Sequence, residues 1–149
     1  MEASGLGVVL DASAAIALLR EEPGAGTVEE LLRSEPARMS TVNAAEAVDI
    51  LIRRHGGQPD EVIARVGELL ESALEPVPST LERAIRAGEL RARHFRRDQR
   101  ISLADCFVLA TAEPSGRIAT GDATLAAVAG AEGIGVIALP GPARPRLHG

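Results

Sequence analysis

Residues 7–20 read GVVLDASAAIALLR, and this stretch decides how the chain begins to fold. Its first four residues, Gly7 to Leu10, form a short apolar run that predicts a buried strand. Strong helix formers fill Ala12 to Arg20, and the turn sequence at 21–24 (EEPG) ends the predicted helix. Asp11 stands at the junction, so the sequence places a carboxylate at the carboxyl end of a strand that passes directly into a helix.

Strands and helices continue to follow one another along the chain. Further strands are predicted at 38–40, 74–77, 117–119 and 135–139, and helices at 27–34, 42–55, 60–73, from Ser79 or Thr80 onward, 102–113 and 123–130. Strands separated by helices favour an α/β fold with a central parallel sheet of four to five strands flanked by helices. We expect a single domain over residues 1–149, with its core at about 7–139 and a flexible or partner-bound tail at 140–149.

The composition excludes several classes of protein. All 16 basic residues are arginine, and the absence of lysine excludes P-loop nucleotidases and Schiff-base enzymes, since both need a lysine amine. One cysteine and three scattered histidines exclude a Cys–His zinc site. A single cysteine forms no intrachain disulfide, which favours the reducing cytoplasm. No apolar run is long enough to span a membrane, so we expect no membrane association.

Two acidic residues follow predicted strands. Asp11 comes directly after the first strand, and Asp122 comes shortly after the strand at 117–119. Ligands of parallel α/β sheets bind beyond the carboxyl ends of the strands, which makes both residues candidates for a functional site. Aspartate is also a favoured N-cap, and a helix is predicted after each residue, so capping is the alternative role. The two roles are compatible because a capping carboxylate has a second oxygen.

Two further acids lie within predicted helices. Asp105 is the only charged residue between positions 101 and 112, and a carboxylate in so apolar a helix is costly to bury unless it is paired or binds a metal. The alternative is that Asp105 lies in the first turn and interacts with the helix dipole. For Glu46 the helical wheel alone favours exposure, because it falls on the polar side with Asn43, Asp49 and Arg53.

Carboxylates of this kind point to a metal and to hydrolysis. Four carboxylates in one place do not all keep their negative charges unaided. Oxygen ligands without His or Cys select hard cations such as Mg²⁺ or Mn²⁺, and such ions activate water and stabilise the leaving oxygen of a phosphodiester. The sequence has neither a Gly-x-Ser-x-Gly nor an Asp-x-Asp-x-Thr motif for a covalent route. Metal-assisted hydrolysis therefore fits best.

Four segments carry these acids in a fixed order: 9–14 (VLDASA), 40–46 (STVNAAE), 102–112 (SLADCFVLATA) and 119–125 (ATGDATL). Together they resemble the PIN-domain ribonucleases, and within that group the VapC-type toxins of toxin–antitoxin systems. The resemblance spans about residues 7–139, nearly the whole chain. It implies a PIN-like three-layer sandwich in which the acids converge at one end of the sheet.

The resemblance also implies roles and partners. Four residues would bind Mg²⁺ or Mn²⁺ and carry catalysis: Asp11, Glu46, Asp105 and Asp122. Ser13 and Thr120 resemble the supporting hydroxyls of the family. Members cleave structured RNA such as loops of tRNA or rRNA, commonly form homodimers, and are silenced by a cognate VapB-type antitoxin. The expected function is thus a metal-dependent endoribonuclease that acts as the toxin of such a pair.

Two other functions remain open. One is a small phosphatase or phosphodiesterase that uses the same metal site, which a narrow pocket and the lack of a basic surface would favour. The other is a catalytically silent PIN-like module that binds only RNA or a partner. Metal-dependent cleavage of RNA distinguishes the expected function from the silent module, and comparison with a simple phosphate monoester distinguishes it from the small-substrate enzyme.

Positive charge collects between Arg83 and Arg100, where seven arginines accompany only Glu89 and Asp98. If the predicted helix continues that far, four arginines share a narrow stripe suited to RNA phosphates: Arg86, Arg93, Arg97 and Arg100. A solvated helix face, a homodimer surface and an antitoxin contact are the alternatives.

Overall fold

The computed structural model of the chain describes residues 7–141, which form five strands and seven helices. The strands are β1 (Val8–Leu10), β2 (Ala37–Ser40), β3 (Glu75–Val77), β4 (Arg117–Thr120) and β5 (Gly135–Ala138). The helices are α1 (Ala12–Leu19), α2 (Ala25–Ser34), α3 (Thr41–Arg53), α4 (Pro59–Ser72), α5 (Leu81–His94), α6 (Leu103–Ala112) and α7 (Ala123–Ala131). Most of the predicted tail, residues 142–149, lies outside the described residues.

All strands pair in parallel in the order β3-β2-β1-β4-β5, so that β1 is the central strand. Val8 lies opposite Ala37 of β2 on one side and opposite Arg117 of β4 on the other. The prediction of an α/β fold with a parallel sheet of four to five strands is confirmed. Because the strands run in one direction, the residues that follow β1, β2 and β4 meet at the same edge of the sheet.

Helices cover both faces of the sheet because β1 is apolar on both sides. Val8 and Leu10 pack into a core with α1, α2, α3 and α4, whereas Val9 packs into a second core with α5, α6 and α7. Alternate residues of a strand face opposite sides, so a run of three apolar residues requires a layer of helices on each side. The chain is thus a three-layer sandwich, as the resemblance implies.

The main departure from the sequence prediction concerns α5. The helix ends at His94 instead of continuing to residue 100, and Arg96 and Gln99 form an isolated antiparallel bridge in the turn that follows. The side-chain amide of Gln99 donates to the His94 carbonyl oxygen at 2.7 Å, and Ile101 is fully buried, so the chain turns back into the core before α6. In residues 7–141 no helix is both long and apolar enough to cross a bilayer.

Leu109→Ala tests the second core. Leu109 lies on α6 and is fully buried among residues of α5, α7 and β4, so the variant leaves a cavity and loses about 2 to 5 kcal/mol of unfolding free energy. Ile63→Ala on α4 is the control, because Ile63 is 56% exposed and its loss changes stability by less than about 0.5 kcal/mol. Urea unfolding measures both variants, and equal midpoints would contradict this packing.

Candidate active site

Asp11 follows β1 and is the N-cap of α1. Its Oδ1 accepts hydrogen bonds from the backbone amide of Ala14 at 2.9 Å and from the hydroxyl of Ser13 at 2.7 Å. Its Oδ2 accepts one from the hydroxyl of Thr120 at 2.5 Å, and the residue is only 3% exposed. A carboxylate has about four lone-pair positions, so Asp11 keeps room for one more ligand after these three bonds. Capping of α1 thus uses Oδ1 of Asp11, and the hydroxyl of Thr120 binds its Oδ2.

Two hydroxyl groups join Asp11 to the turn after β4. Thr120 donates to Asp11 and accepts from the backbone amide of Asp122 at 2.9 Å. Ser13 donates to Asp11 and accepts from the backbone amide of Gly121 at 2.9 Å. Asp122 is the N-cap of α7, which holds its carboxylate at the same edge of the sheet as Asp11. Both hydroxyls predicted to support the acids thus contact Asp11.

Asp105 lies in the first turn of α6, where it forms a capping box with Ser102. The Ser102 hydroxyl accepts from the Asp105 amide at 3.0 Å, and Asp105 Oδ2 accepts from the Ser102 amide at 3.4 Å. The first-turn alternative is therefore correct for the local structure, yet the same carboxylate lines the cleft that contains Asp11. The adjacent Cys106 is fully buried, and burial raises the pKa of its thiol to about 11, as for a core residue.

Glu46 also lines this cleft, although the helical wheel alone favours exposure. It is half-buried, and its Oε1 accepts a hydrogen bond of 3.3 Å from Nδ2 of Asn43. Asn43 is fully buried, so its expected place on the solvated side of α3 is wrong. The reason is that α3 packs against α1, α4 and α6, which leaves little of the helix facing water.

Asn43 is the residue that sequence reasoning missed most clearly. Its Nδ2 also donates to the Ala104 carbonyl oxygen at 3.0 Å, so one amide links α3 to the residue before Asp105. Its Oδ1 is buried and has no hydrogen-bond partner among the described residues. The available signal was the spacing: Asn43 lies three positions before Glu46, on the same side of a helix.

The acids of the cleft repel one another. Burial raises the pKa of Asp105 to about 7, and the negative charges of Asp122 and Glu46 contribute. Burial also raises the pKa of Glu46, with further repulsion from Asp11 and Asp122. The pKa of Asp11 is raised by burial despite the hydrogen bonds that it accepts. The folded chain therefore disfavours full ionisation at this edge of the sheet, which is the electrostatic condition that a bound cation relieves.

The cleft extends away from the acids along α1 and α3 and encloses about 850 Å³. Basic side chains line it as well: Arg20, Arg54, His55 and Arg100. Arg20 and Arg54 are the C-cap residues of α1 and α3, the helices whose amino-terminal parts carry Asp11 and Glu46. Sequence reasoning missed Arg20, Arg54 and His55, because only the packing of α1 beside α3 places their helix ends along one cleft.

The predicted arginine stripe is not a single helical face. Arg97 and Arg100 follow the end of α5 and belong to no helix. Arg86 is held by Glu113 and Glu89, with Oε–N distances of 2.7 and 2.8 Å, and Arg93 is held by Glu132 at 3.0 Å. Arg100 alone of the four lines the cleft. The stripe requires that the helix continue to residue 100, but α5 ends at His94 after 14 residues. The chain then turns, and Gln99 bonds back to the His94 carbonyl oxygen.

The donor set of the cleft suits a hard divalent cation. It consists of carboxylate oxygens from four acids, and the pKa of three of them, Asp11, Glu46 and Asp105, is raised. Within residues 7–141, however, no three His, Cys, Asp or Glu side chains are arranged so as to hold a metal ion as they stand. The acids share a cleft without forming a closed coordination shell.

Comparison with solved structures shows the same fold. The chain is similar to VapBC2 from Rickettsia felis bound to promoter DNA, with a TM-score of 0.68 and 14% identity over 90% of this chain and 99% of that one. It is also similar to VapC20 from Mycobacterium tuberculosis, a toxin that cleaves the sarcin–ricin loop, with a TM-score of 0.65 and 21% identity over 81% and 94%. DNA-bound VapBC from Salmonella typhimurium gives a TM-score of 0.67 and 18% identity over 89% and 98%.

Comparison of the sequence assigns the family. No curated protein matches the chain. The family model of the PIN domain matches residues 8–131, which include β1, the four acids and α7. The match covers most of the sequence and agrees with the parallel sheet and with the order of the motifs, so the chain belongs to the PIN domain family.

Proposed function

We propose that the chain is a divalent-cation-dependent endoribonuclease and the toxin of a VapC-type toxin–antitoxin pair. The observation that carries the proposal is the convergence of four carboxylates on one cleft of a PIN domain. The similar structures include VapBC complexes and a toxin that cleaves the sarcin–ricin loop, which supports a VapB-type antitoxin partner and a structured RNA loop as substrate. A cytoplasmic location goes with this function.

Asp11, Glu46, Asp105 and Asp122 would hold Mg²⁺ or Mn²⁺ in this proposal. When bound, such a cation supplies an activated water and neutralises negative charge on the phosphodiester. Thr120 and Ser13 orient Asp11 through the hydrogen bonds that they donate, and Asn43 orients Glu46. Because the acids do not form a closed shell in the described residues, the more exposed Glu46, Asp105 and Asp122 would adjust around a cation, whereas Asp11 is buried and held by hydrogen bonds.

Basic residues of the cleft would hold the RNA backbone. An acidic centre repels a polyanion, so a nuclease of this kind needs cations close to it, and this chain has only arginine for that purpose. Arg54 and Arg100 line the same cleft as the acids, whereas Arg86 and Arg93 are engaged by glutamates elsewhere. The cleft volume of about 850 Å³ and the two arginines in its lining support RNA over a small phosphate ester as the substrate.

Asp105→Asn tests the catalytic proposal. The variant is nearly isosteric, so it should retain the fold and lose RNA cleavage by about a hundredfold or more. Asp49→Asn is the matched control: it removes one carboxylate from an exposed pair with Arg53 on α3 and should cleave as the wild type does. The assay compares RNA with a phosphate monoester, in Mg²⁺ or Mn²⁺ and in chelator. Wild-type activity in Asp105→Asn, or cleavage in chelator, would refute the proposal.

The electrostatics of the cleft can be tested by measuring the free energy of unfolding against pH with chelator present. Since the pKa of Asp105 is about 7 in the folded chain and near 4 when unfolded, the folded state binds the proton more tightly and loses stability as pH rises between these values. Asp105→Asn should therefore be more stable than the wild type by about 1 to 3 kcal/mol at pH 8, with little difference at pH 4. A difference that does not change with pH would contradict this assignment.

Metal should stabilise the folded wild type. A ligand at one hundred times its dissociation constant adds about 2.7 kcal/mol when it binds only the folded state. Asp11→Asn should reduce this gain while keeping the helix cap, because asparagine caps α1 as well as aspartate does. Thermal unfolding with Mn²⁺ or Mg²⁺ and with chelator provides the measurement. Identical melting curves in metal and chelator would speak against a cation site.

Arg54→Ala combined with Arg100→Ala tests the RNA contact. Losing two phosphate contacts should weaken RNA binding for all sequences and reduce the slope of its salt dependence by about 1 to 2, without moving the cleavage position. Arg93→Ala combined with Arg97→Ala removes the same charge outside the cleft and should leave the slope unchanged. If the Arg93 and Arg97 variant lowered the slope and the Arg54 and Arg100 variant did not, RNA binding would belong to the surface at the end of α5.

A further inference from the structure

The end of the cleft that is farther from the acids adjoins a second cavity. Arg20 and His55 line both the cleft and a smaller pocket of about 140 Å³, which lies where the ends of α1 and α3 meet the beginning of α4. We call it the distal pocket. With a rise of about 1.5 Å per residue, α1 separates its N-cap Asp11 from its C-cap Arg20 by about 13 Å. A ligand that reaches from the acids to the distal pocket is therefore longer than a single phosphate group. The remaining lining residues of the pocket are Leu19, Leu51, Gly57, Glu61, Val62 and Arg65.

The floor of the distal pocket is apolar. Leu51 and Val62 are buried, and Leu19 is half-buried. A Cβ on Gly57 would come within 2.6 Å of Cγ2 of Val62, so the turn between α3 and α4 lies this close to Val62 only because it has no side chain there. The resulting surface suits the face of a planar ring.

Polar groups stand at the rim of the distal pocket. Nη2 of Arg65 donates to the carbonyl oxygen of Leu19 at 3.0 Å, which holds the guanidinium between α4 and the end of α1. Glu61 precedes Arg65 by four residues on α4 and so lies on the same side of that helix. Within residues 7–141 the carboxylate of Glu61 forms neither a hydrogen bond nor an ion pair. The rim thus combines a fixed group of donors with a carboxylate that is free to accept.

Two donor side chains can hold a phosphate on the path between the acids and the distal pocket. Arg54 lines the cleft, makes no ion pair in the described part of the chain, and its positive charge opposes the rise in the pKa of Glu46. The imidazole of His55 lines both cavities and has no hydrogen-bond partner among the described residues. Arg20 differs, because its Nε already donates to Glu22 at 3.0 Å. Arg54 and His55 are therefore the groups available to the RNA backbone here.

We propose that the distal pocket binds one unpaired guanine of the RNA substrate, a short distance along the strand from the phosphate that is cut. Guanine carries N–H donors at N1 and N2 and acceptors at O6 and N7. Glu61 accepts from the donors, and Arg65 donates to the acceptors with the guanidinium nitrogens that Leu19 leaves free. The ring lies against Leu51 and Val62. The inference rests on the proposed nuclease function and adds a base preference to it.

Other occupants fit these groups less well. Adenine has an amino group where guanine has O6 and lacks the donors at N1 and N2, so it turns a donor toward Arg65 and offers Glu61 none. An apolar peptide side chain covers the floor but pairs with neither Glu61 nor Arg65, which is why the rim favours a base. A base enters such a pocket only when it is unstacked, so the substrate is a single-stranded loop.

Binding of single-stranded RNA in chelator tests the distal pocket without any need for cleavage. The probes are a short oligoadenylate and the same strand with one central guanine, and fluorescence anisotropy measures both dissociation constants. The wild type should bind the guanine strand about tenfold more tightly. Glu61→Gln should reduce this preference to about twofold or less, because the amide presents a donor to a donor. Glu68→Gln is the matched control, since Glu68 is an exposed glutamate of α4 outside the pocket, and it should keep the preference.

Arg54→Ala separates the phosphate contact from the base contact. It should weaken the binding of both strands by the same factor, because a phosphate contact carries no sequence information. A wild type that binds the two strands equally, or binds neither, overturns the proposal and leaves an apolar peptide side chain as the occupant of the pocket. A Glu61→Gln variant that keeps the full preference overturns it as well. Circular dichroism checks that the variants are folded.

Mapping of the cut positions in Mg²⁺ distinguishes this inference from the proposed function. The wild type should cut at a constant distance from a guanine, and Glu61→Gln should cut the same RNA with less dependence on that guanine. A binding preference for guanine without any cleavage would refute the nuclease and support the pocket. Cleavage without a guanine preference would refute the pocket and support the nuclease.

Discussion

The arrangement of the cleft depends on the buried carboxylate of Asp11. It accepts hydrogen bonds from the Ala14 amide and from the hydroxyls of Ser13 and Thr120, which come from two different segments of the chain. These bonds start α1 and also tie the end of β1 to the turn after β4. The same turn begins α7 at Asp122. One ionisable group thus sets the relative positions of two helices and two strands at the edge where the cleft lies.

This arrangement places stability and the proposed function in opposition. Burial and mutual repulsion raise the pKa of Asp11, Glu46 and Asp105, so each of these groups keeps its proton to a higher pH in the folded chain than in the unfolded chain. The cost is offset by the two apolar cores on either side of β1. Concentrated negative charge is also what a hard cation requires, which explains why the fold tolerates the repulsion in a site of the proposed kind.

The arginine side chains have different surroundings on different surfaces of the molecule. Arg86 and Arg93 join α5 to Glu113 and Glu132, near the ends of α6 and α7, and so act as structural ties between helices. Arg54 and Arg100 line the cleft. The exposed residues of α5 also include the apolar Leu81 and Ile85. A count of charge along the sequence does not separate these surfaces, because it ignores which glutamates approach each guanidinium.

The sequence by itself determined the features that depend on local periodicity and on strand ends. The alternation of strands and helices implied a parallel sheet covered on both faces, and the positions of Asp11 and Asp122 after strands made them candidates for a site at one edge of that sheet. Tertiary structure decided the rest. A helical wheel has one polar side, but α3 packs against three helices, so Asn43 became buried and Glu46 came to face the cleft. Likewise, α5 ends at His94 because the side chain of Gln99 donates to the His94 carbonyl oxygen and Ile101 is buried in the core. The packing of α1 beside α3 brings Arg54 to the cleft. Each of these outcomes depends on contacts between residues that are distant in sequence, and such contacts leave no local pattern from which to predict them.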